Sequence, residues 1–347
     1  MKDKIKVLMI GPARNVNGGI STVVNNYYKA GLDKRIHLRY IGTMEDGSRL
    51  HKLRVAIRAL FRFIIQAPKC DLVHINMASD VSLYRKLPFI YLTKLFGKKL
   101  VIHQHGGNIK EFYYKECKRK QRDFIRKSLR KADVFLVVSP YLEEIFKDII
   151  DERKLTVLPN AICLPEDIEE KKPGEKLIFL GRLCRQKGIE ELLEAVSELK
   201  GKYPGLELYL AGVWEDLGLK ELADRYGDFV HQLGWIGSKE KDSYLRRCNI
   251  FVLPTYFEGM PMSLLEGMAY GCTCIASAVG GIPYVLENGT EGILIRPKSK
   301  EALKQALVQV LDDSSLQKKF SGAAKKRVTR EFEIKKSVDA LVKIYGD

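Results

Sequence analysis

The chain lacks any apolar run near the roughly 18 residues that a membrane span requires. Its start, MKDKIKVLMIGPA, has too short an apolar stretch for a signal peptide and reads as a first strand. A cytoplasmic location is therefore expected. The seven cysteines (Cys70, Cys117, Cys163, Cys184, Cys248, Cys272 and Cys274) form no C-x-x-C pair and no His/Cys ligand spacing. Their odd number and apolar surroundings imply buried, reduced thiols rather than a disulfide framework or a zinc site. The glycine-rich loop after the first strand, GPARNVNGG, lacks the G-x-G-x-x-G spacing, which counts against an NAD enzyme. No DNA- or RNA-reading motif is present, so a nucleic-acid partner is not expected.

What is present is a folded composition, 46% hydrophobic and 29% charged over 347 residues. That length suits two cores better than one. The charge is uneven. Residues 1–165 hold 32 Lys/Arg against 15 Asp/Glu, a net +17, and the remainder is close to neutral. Such an asymmetry asks for an anionic partner, and a lipid surface suits it.

Short β-rich runs alternate with helical stretches in both halves. Strands are expected at Ile5–Ile10, Ile36–Ile41, Leu72–Ile75, Leu100–His103 and Val134–Val138, with helices near 20–30, 49–66, 82–97, 110–131 and 140–149. After a Pro/Gly-bearing charged linker from Pro165 to Gly174, the pattern restarts at Leu177–Leu180, Leu206–Ala211, Phe229–Leu233, Ile250–Leu253, Cys272–Ala276 and Gly292–Ile295. The last segment, about 299–346, reads as helical throughout. This rhythm predicts parallel sheets covered by helices, with ligands past the carboxyl ends of the strands.

Unusual residues fall at those ends. Gly18 and Gly19 precede a helix whose amides suit a phosphate, although a Gly-Gly pair is often only a turn. His103 and His105 follow the fourth strand; they are expected to point to opposite sides, leaving His105, beside Gly106 and Gly107, to face a ligand. In FLGRLCRQKG, Arg182 and Lys187 sit on a strand-to-helix loop framed by Gly181 and Gly188, where two cations can neutralise a diphosphate. In PTYFEGMPMSLLEGMAYGC, Pro261 suits a first helical turn, which puts Glu258 in the loop and Glu266 within the helix. The former can accept hydrogen bonds from sugar hydroxyls and the latter can hold a ribose. VGGIPYVLENGTEGILI adds a second glycine-rich turn that closes over phosphates or merely connects elements.

Basic residues also recur at helical spacing. Arg54, Arg58 and Arg62 make a stripe opposite an apolar side of Leu53, Ile57, Leu60, Phe61 and Ile64, and a denser run extends from Lys115 to Lys131. Solvated faces usually explain such runs. With Leu87, Phe89, Tyr91 and Leu92 nearby, they also fit docking on anionic lipid.

Taken together, the E-x7-E segment from Glu258 to Glu266 and the G-R-x-x-x-x-K-G pattern at Gly181–Gly188 resemble the retaining glycosyltransferase family 4 over essentially the whole chain. The resemblance implies an α/β GT-B fold of two Rossmann-like, doubly wound parallel-sheet domains facing across a cleft. Its parts would be an acceptor domain over 1–165, a nucleotide-sugar domain over 175–330, and a C-terminal helix over 331–347 returning to the first domain. It implies transfer with retention from a nucleotide-sugar donor, a UDP-sugar, to a saccharide or lipid-linked acceptor of cell-surface polysaccharide or glycolipid. The enzyme would be peripheral on the inner membrane face, with no cofactor and, in the absence of a D-x-D diad, no metal. Arg182 and Lys187 would bind the diphosphate, Glu258 the transferred sugar and Glu266 the ribose. Gly18 and Gly19 would lie against the phosphate, His105 would point at the sugar in a catalytic role, and the base would pack near Ile236. Met260, Met262 and Ser263 complete the expected donor contacts. Pro261 replaces a frequent glycine, so its amide is absent, and Tyr284 stands where an acidic residue is common. A sugar-nucleotide epimerase of similar fold, or a non-catalytic basic membrane-binding protein, remain the rival readings.

Overall fold

Short apolar runs, buried on both faces, become central strands of parallel sheets because only helices on either side can cover them. The computed structural model describes residues 4–346; the first three residues, at the start of the expected 1–165 domain, and Asp347, at the end of the expected 331–347 helix, lie outside them. The chain divides into two compact units, one running through Cys163 and resumed from Glu333, the other Leu164–Phe332.

The first unit holds β1 (Lys6–Gly11), β2 (His37–Gly42), β3 (Leu72–Met77), β4 (Lys99–Gln104), β5 (Val134–Val137) and β6 (Leu155–Val157). All are parallel, in the order β2-β1-β3-β4-β5-β6. The chain winds from β1 outward to β2, then returns to β3 and proceeds the other way. The switch point therefore lies between β1 and β3, where doubly wound sheets open a crevice for ligands. The Ile334–Gly346 helix belongs to this unit: Tyr345 bonds His74 at 2.6 Å and Lys99 donates to the Ile344 carbonyl at 2.9 Å.

The second unit repeats the plan with β7 (Lys176–Leu180), β8 (Glu207–Ala211), β9 (Val230–Gly234), β10 (Ile250–Leu253), β11 (Thr273–Ser277) and β12 (Gly292–Ile295), ordered β12-β11-β10-β7-β8-β9. Its switch point lies between β7 and β10. The fold is the expected pair of doubly wound parallel sheets.

Several details differ from the sequence reading. β6 was not anticipated; it is a three-residue edge strand after a short 3₁₀ turn, too brief to show a pattern. The helix expected over 110–131 breaks at Cys117, and only Arg119–Leu129 forms a regular α-helix. The segment expected to be continuous over 299–346 is three helices, Lys300–Asp312, Ser314–Glu331 and Ile334–Gly346. Asp313 breaks it by turning its side chain to cap the second helix through Ser315 and Leu316. Pro261 precedes the Met262–Ala269 helix as its cap, with extended backbone, instead of occupying the first turn. The linker is irregular but not free. Lys171 donates to the Leu245 and Cys248 carbonyls, and Arg246 to the Glu166 and Asp167 carbonyls, so the segment is fastened to the second unit. All seven cysteines are free thiols, six of them buried and Cys163 half-buried. Among the described residues no helix is long and apolar enough to cross a membrane.

Candidate functional site

At the switch point of the second sheet, two turns are locked together. The turn after β7 ends at Gly188, whose φ of +70° places its Cα hydrogen side so near Pro254 that a Cβ would stand 2.1 Å from the Pro254 carbonyl oxygen. Only glycine allows that approach. Across the same seam Tyr256 N–H donates to the Gln186 carbonyl at 2.9 Å and Thr255 Oγ1 to the same oxygen at 3.3 Å. This seam sets Lys187, after β7, against Glu258, after β10. Their charged groups form an ion pair with both side chains largely shielded, at 16% and 17% exposure.

Glu258 is gripped from the other side as well. Gly280, with φ +56°, lies so close that a Cβ would sit 1.8 Å from the Glu258 carbonyl oxygen, and Gly281 N–H donates to that oxygen at 3.2 Å. The second glycine-rich turn thus holds the Glu258 loop in place. A mostly desolvated Lys–Glu pair is a poor stabiliser by itself, since burial costs about what the pairing returns. Its value is that an anion can take over the lysine.

The other expected residues lie at the same edge but with different partners. Glu266, on the Met262–Ala269 helix, pairs with Lys241 of the Ser238–Arg247 helix and is 14% exposed. Gly267 lets that helix press onto Phe251 of β10. Arg182 is solvent-facing, bonded to both oxygens of Glu215 after β8 at 3.0 and 3.1 Å. Met260 and Met262 are buried and Ser263 half-buried at the helix start, whose first turn carries no acidic residue. Its leading amides, like those of any helix, have no partner within the helix. Ile236 follows β9, half-buried beside Trp235, which is 53% exposed. Trp235 was not singled out from the sequence. The available signal was that both tryptophans of the chain, Trp214 and Trp235, follow strand ends of one sheet.

In the first unit, Gly18 and Gly19 open the Gly19–Lys29 helix after β1, exposed, with no atom within 4 Å of where a Cβ would stand. Internal packing therefore does not require glycine at either position. His105 follows β4 and is 9% exposed. Its Nε2 lies 2.8 Å from Asn76 Oδ1, and Asn76 Nδ2 donates to the Ile10 carbonyl at 3.2 Å. Because the amide nitrogen is thus assigned, Oδ1 accepts and Nε2 of His105 carries the proton.

The expectation that His103 and His105 diverge is overturned. Their ring centroids are 3.9 Å apart, since residues two apart on a strand share a face. His74, on neighbouring β3, extends the row at 5.5 Å from His103. Burial, reinforced by mutual repulsion of any positive charge, keeps these rings neutral. It pulls His105 and His74 down to about 3 and His103 well below its ordinary value. Among the described residues no group of His, Cys, Asp or Glu side chains is arranged to hold a metal ion. Next to His105, the Gly107 turn presses on Ser79, and Asp80 is held at φ +57° with its carboxylate accepting from Ser79 Oγ at 2.6 Å. Strain of this kind tends to gather at ligand sites; no motif in the residues signals it.

Two family models match the chain: "Glycosyltransferase Family 4" over residues 20–164 and "Glycosyl transferases group 1" over residues 164–327. The chain belongs to glycosyltransferase family 4. This glycosyltransferase has the GT-B fold and transfers a sugar from a nucleotide sugar. It is 26% identical to the Escherichia coli UDP-Gal:alpha-D-GlcNAc-diphosphoundecaprenol alpha-1,3-galactosyltransferase, covering 91% of this chain and 85% of that enzyme. In fold it is similar to sucrose-phosphate synthase from Thermosynechococcus elongatus (TM-score 0.81, 19% identity, 99% and 98% of the two chains). It is similar also to Anabaena HepE in complex with UDP and glucose (TM-score 0.78, 14% identity, 99% and 100%).

Proposed function

We propose that this glycosyltransferase takes a UDP-sugar in its second unit and passes the sugar, with retention, to a saccharide or lipid-linked acceptor held by its first unit. The product would belong to a cell-surface polysaccharide or glycolipid, and the work would be done against an anionic membrane surface. The observation that carries this reading is the shielded Lys187–Glu258 pair at the switch point of the second sheet. A diphosphate entering there takes the ammonium of Lys187 and draws in Arg182, whose present partner Glu215 is exposed and weakly held. Glu258, released, accepts hydrogen bonds from the sugar hydroxyls. The start of the Met262–Ala269 helix, at Met262 and Ser263 after Met260, offers amides to the phosphate. Glu266 takes the ribose, and Ile236 and Trp235 flank the base.

Charge then builds on the diphosphate as its bond to the anomeric carbon breaks, and Lys187 and Arg182 stabilise it. The acceptor hydroxyl bonds to that carbon on the face the diphosphate leaves, and its proton passes to the departing phosphate oxygen. His105, a neutral imidazole, positions the sugar as a hydrogen-bonding group rather than as an acid, and Gly18 and Gly19 let backbone approach the phosphate. The UDP of the Anabaena complex and the UDP-Gal and diphosphoundecaprenol named for the E. coli enzyme support the choice of donor and acceptor class.

Thermal melts with UDP-, GDP-, ADP- and dTDP-sugars test the reading, because a ligand bound only by the folded state raises Tm. A rise specific to a UDP-sugar is expected. No rise with any of the four would overturn it.

A further inference from the structure

The Arg49–Gln66 helix of the first unit has two apolar faces. Val55, Ala59 and Phe63, four residues apart, are buried beneath it. On the opposite side Leu50, Leu53, Ile57, Phe61 and Ile64, with Ile65 beside them, stand 41% to 70% exposed. From the sequence Leu53, Ile57, Leu60, Phe61 and Ile64 form one apolar side of an amphipathic helix; the structure leaves Leu60 half-buried and puts the other four in solvent. By contrast Leu87 and Phe89, expected near a lipid surface, are buried and contribute nothing to it. Single exposed apolar residues need no explanation, but six on one helix form a patch that wants a cover.

Charge says what covers it. The helix contains five Lys/Arg and no Asp or Glu. A second copy laid against it would bring five cations onto five, so self-association is opposed. Arg54, Arg58 and Arg62 flank the exposed stripe on one side, and among the described residues no carboxylate forms an ion pair with any of them. Arg58 and Arg62 also form the wall of a cavity of about 370 Å³ at the carboxyl ends of β1 and β2. Its other side holds Arg14, braced by a 2.8 Å bond to Asn25 and by stacking 3.7 Å above the Tyr28 ring. Its single carboxylate, Glu45, is engaged by His51 at 3.1 Å. An apolar stripe, an arginine border and a cationic cavity thus follow one another across one surface.

We infer that the Arg49–Gln66 helix lies in the plane of an anionic phospholipid surface. Its stripe enters the acyl boundary, and Arg14, Arg58 and Arg62 hold a lipid phosphate in the cavity. This deepens, and rests on, the reading that the enzyme works against an anionic membrane surface.

Co-sedimentation of the full chain with phosphatidylcholine vesicles, with and without phosphatidylglycerol, tests it. The wild type should sediment with the anionic vesicles alone and be released by salt. Phe61→Glu should weaken that binding about tenfold or more by placing a charge in the acyl boundary. Arg58→Glu should abolish the preference for phosphatidylglycerol. Both should keep the wild-type Tm and its rise with donor, which reports on the second unit. Phe61→Glu binding vesicles like the wild type would overturn the inference. So would a wild-type dimer that ignores vesicles and dissociates in Phe61→Glu. Vesicle binding without any donor response would support this surface and count against the donor reading.

Discussion

The two units are wound alike yet furnish their strand ends in opposite ways. On β3 and β4 and just past the latter the first unit lines up dehydrated, uncharged rings: His74 on β3, His103 on β4 and His105 after it, with Asn76 of β3 bonded to the last. Past β7, β8 and β10 the second carries charges, each already matched: Lys187 with Glu258, Lys241 with Glu266, Arg182 with Glu215. A neutral, buried wall can orient a sugar without competing for its charge. A wall of matched charges can exchange one partner for a diphosphate at little net electrostatic cost. The topology supplies the crevice twice, and the side chains furnish each one differently.

The sharpest way to break this contrast is Lys187→Ala, which removes the exchangeable cation. Turnover with donor and acceptor should fall on the order of 10³-fold. Because Lys187 and Glu258 form one pair, the double variant should lose far less than the product of the single losses in steady-state kinetics.

Acid should strike the first unit selectively. Each of His74 and His105 binds a proton in the unfolded chain below its ordinary value near 6.5, whereas in the folded unit it does so only near 3. Stability is therefore unaffected by these groups above that ordinary value and declines as pH drops toward 3. The decline is about 1.4 kcal/mol per pH unit for each histidine. Thermal melts at successive pH values, compared with His74→Gln, should show a shallower decline in the variant.

His105→Ala should lower kcat about 10²-fold, the scale of one lost transition-state contact. The wild-type rate should show no inflection from His105 near neutrality, since this group titrates near 3. Glu266→Gln is expected to do least, raising the donor KM about tenfold with kcat nearly unchanged, as for contacts equal in ground and transition states.

Much of this was legible in the residues. Eleven strand positions follow from β-rich runs, and the glycines at 188 and 280 sit where chains must come close. Glu258 and Lys187 were each nominated, but their pairing was not, because 71 residues separate them and only the β7–β10 adjacency brings them together. Lys241, the partner of Glu266, carried no signal in the sequence at all. The Arg49–Gln66 helix shows a subtler limit. Its apolar residues cover nearly the whole circumference, and periodicity cannot tell which stripe the sheet will bury. The histidine row was misread at the strand end, where alternation puts His103 and His105 on one face.

The most direct test of the central claim is calorimetric titration of UDP into the wild type and Lys187→Ala. If Lys187 surrenders Glu258 to hold the donor diphosphate, the wild type binds and the variant loses at least about tenfold in affinity, the cost of a lost charge-assisted contact. Equal affinity in both proteins would contradict the account.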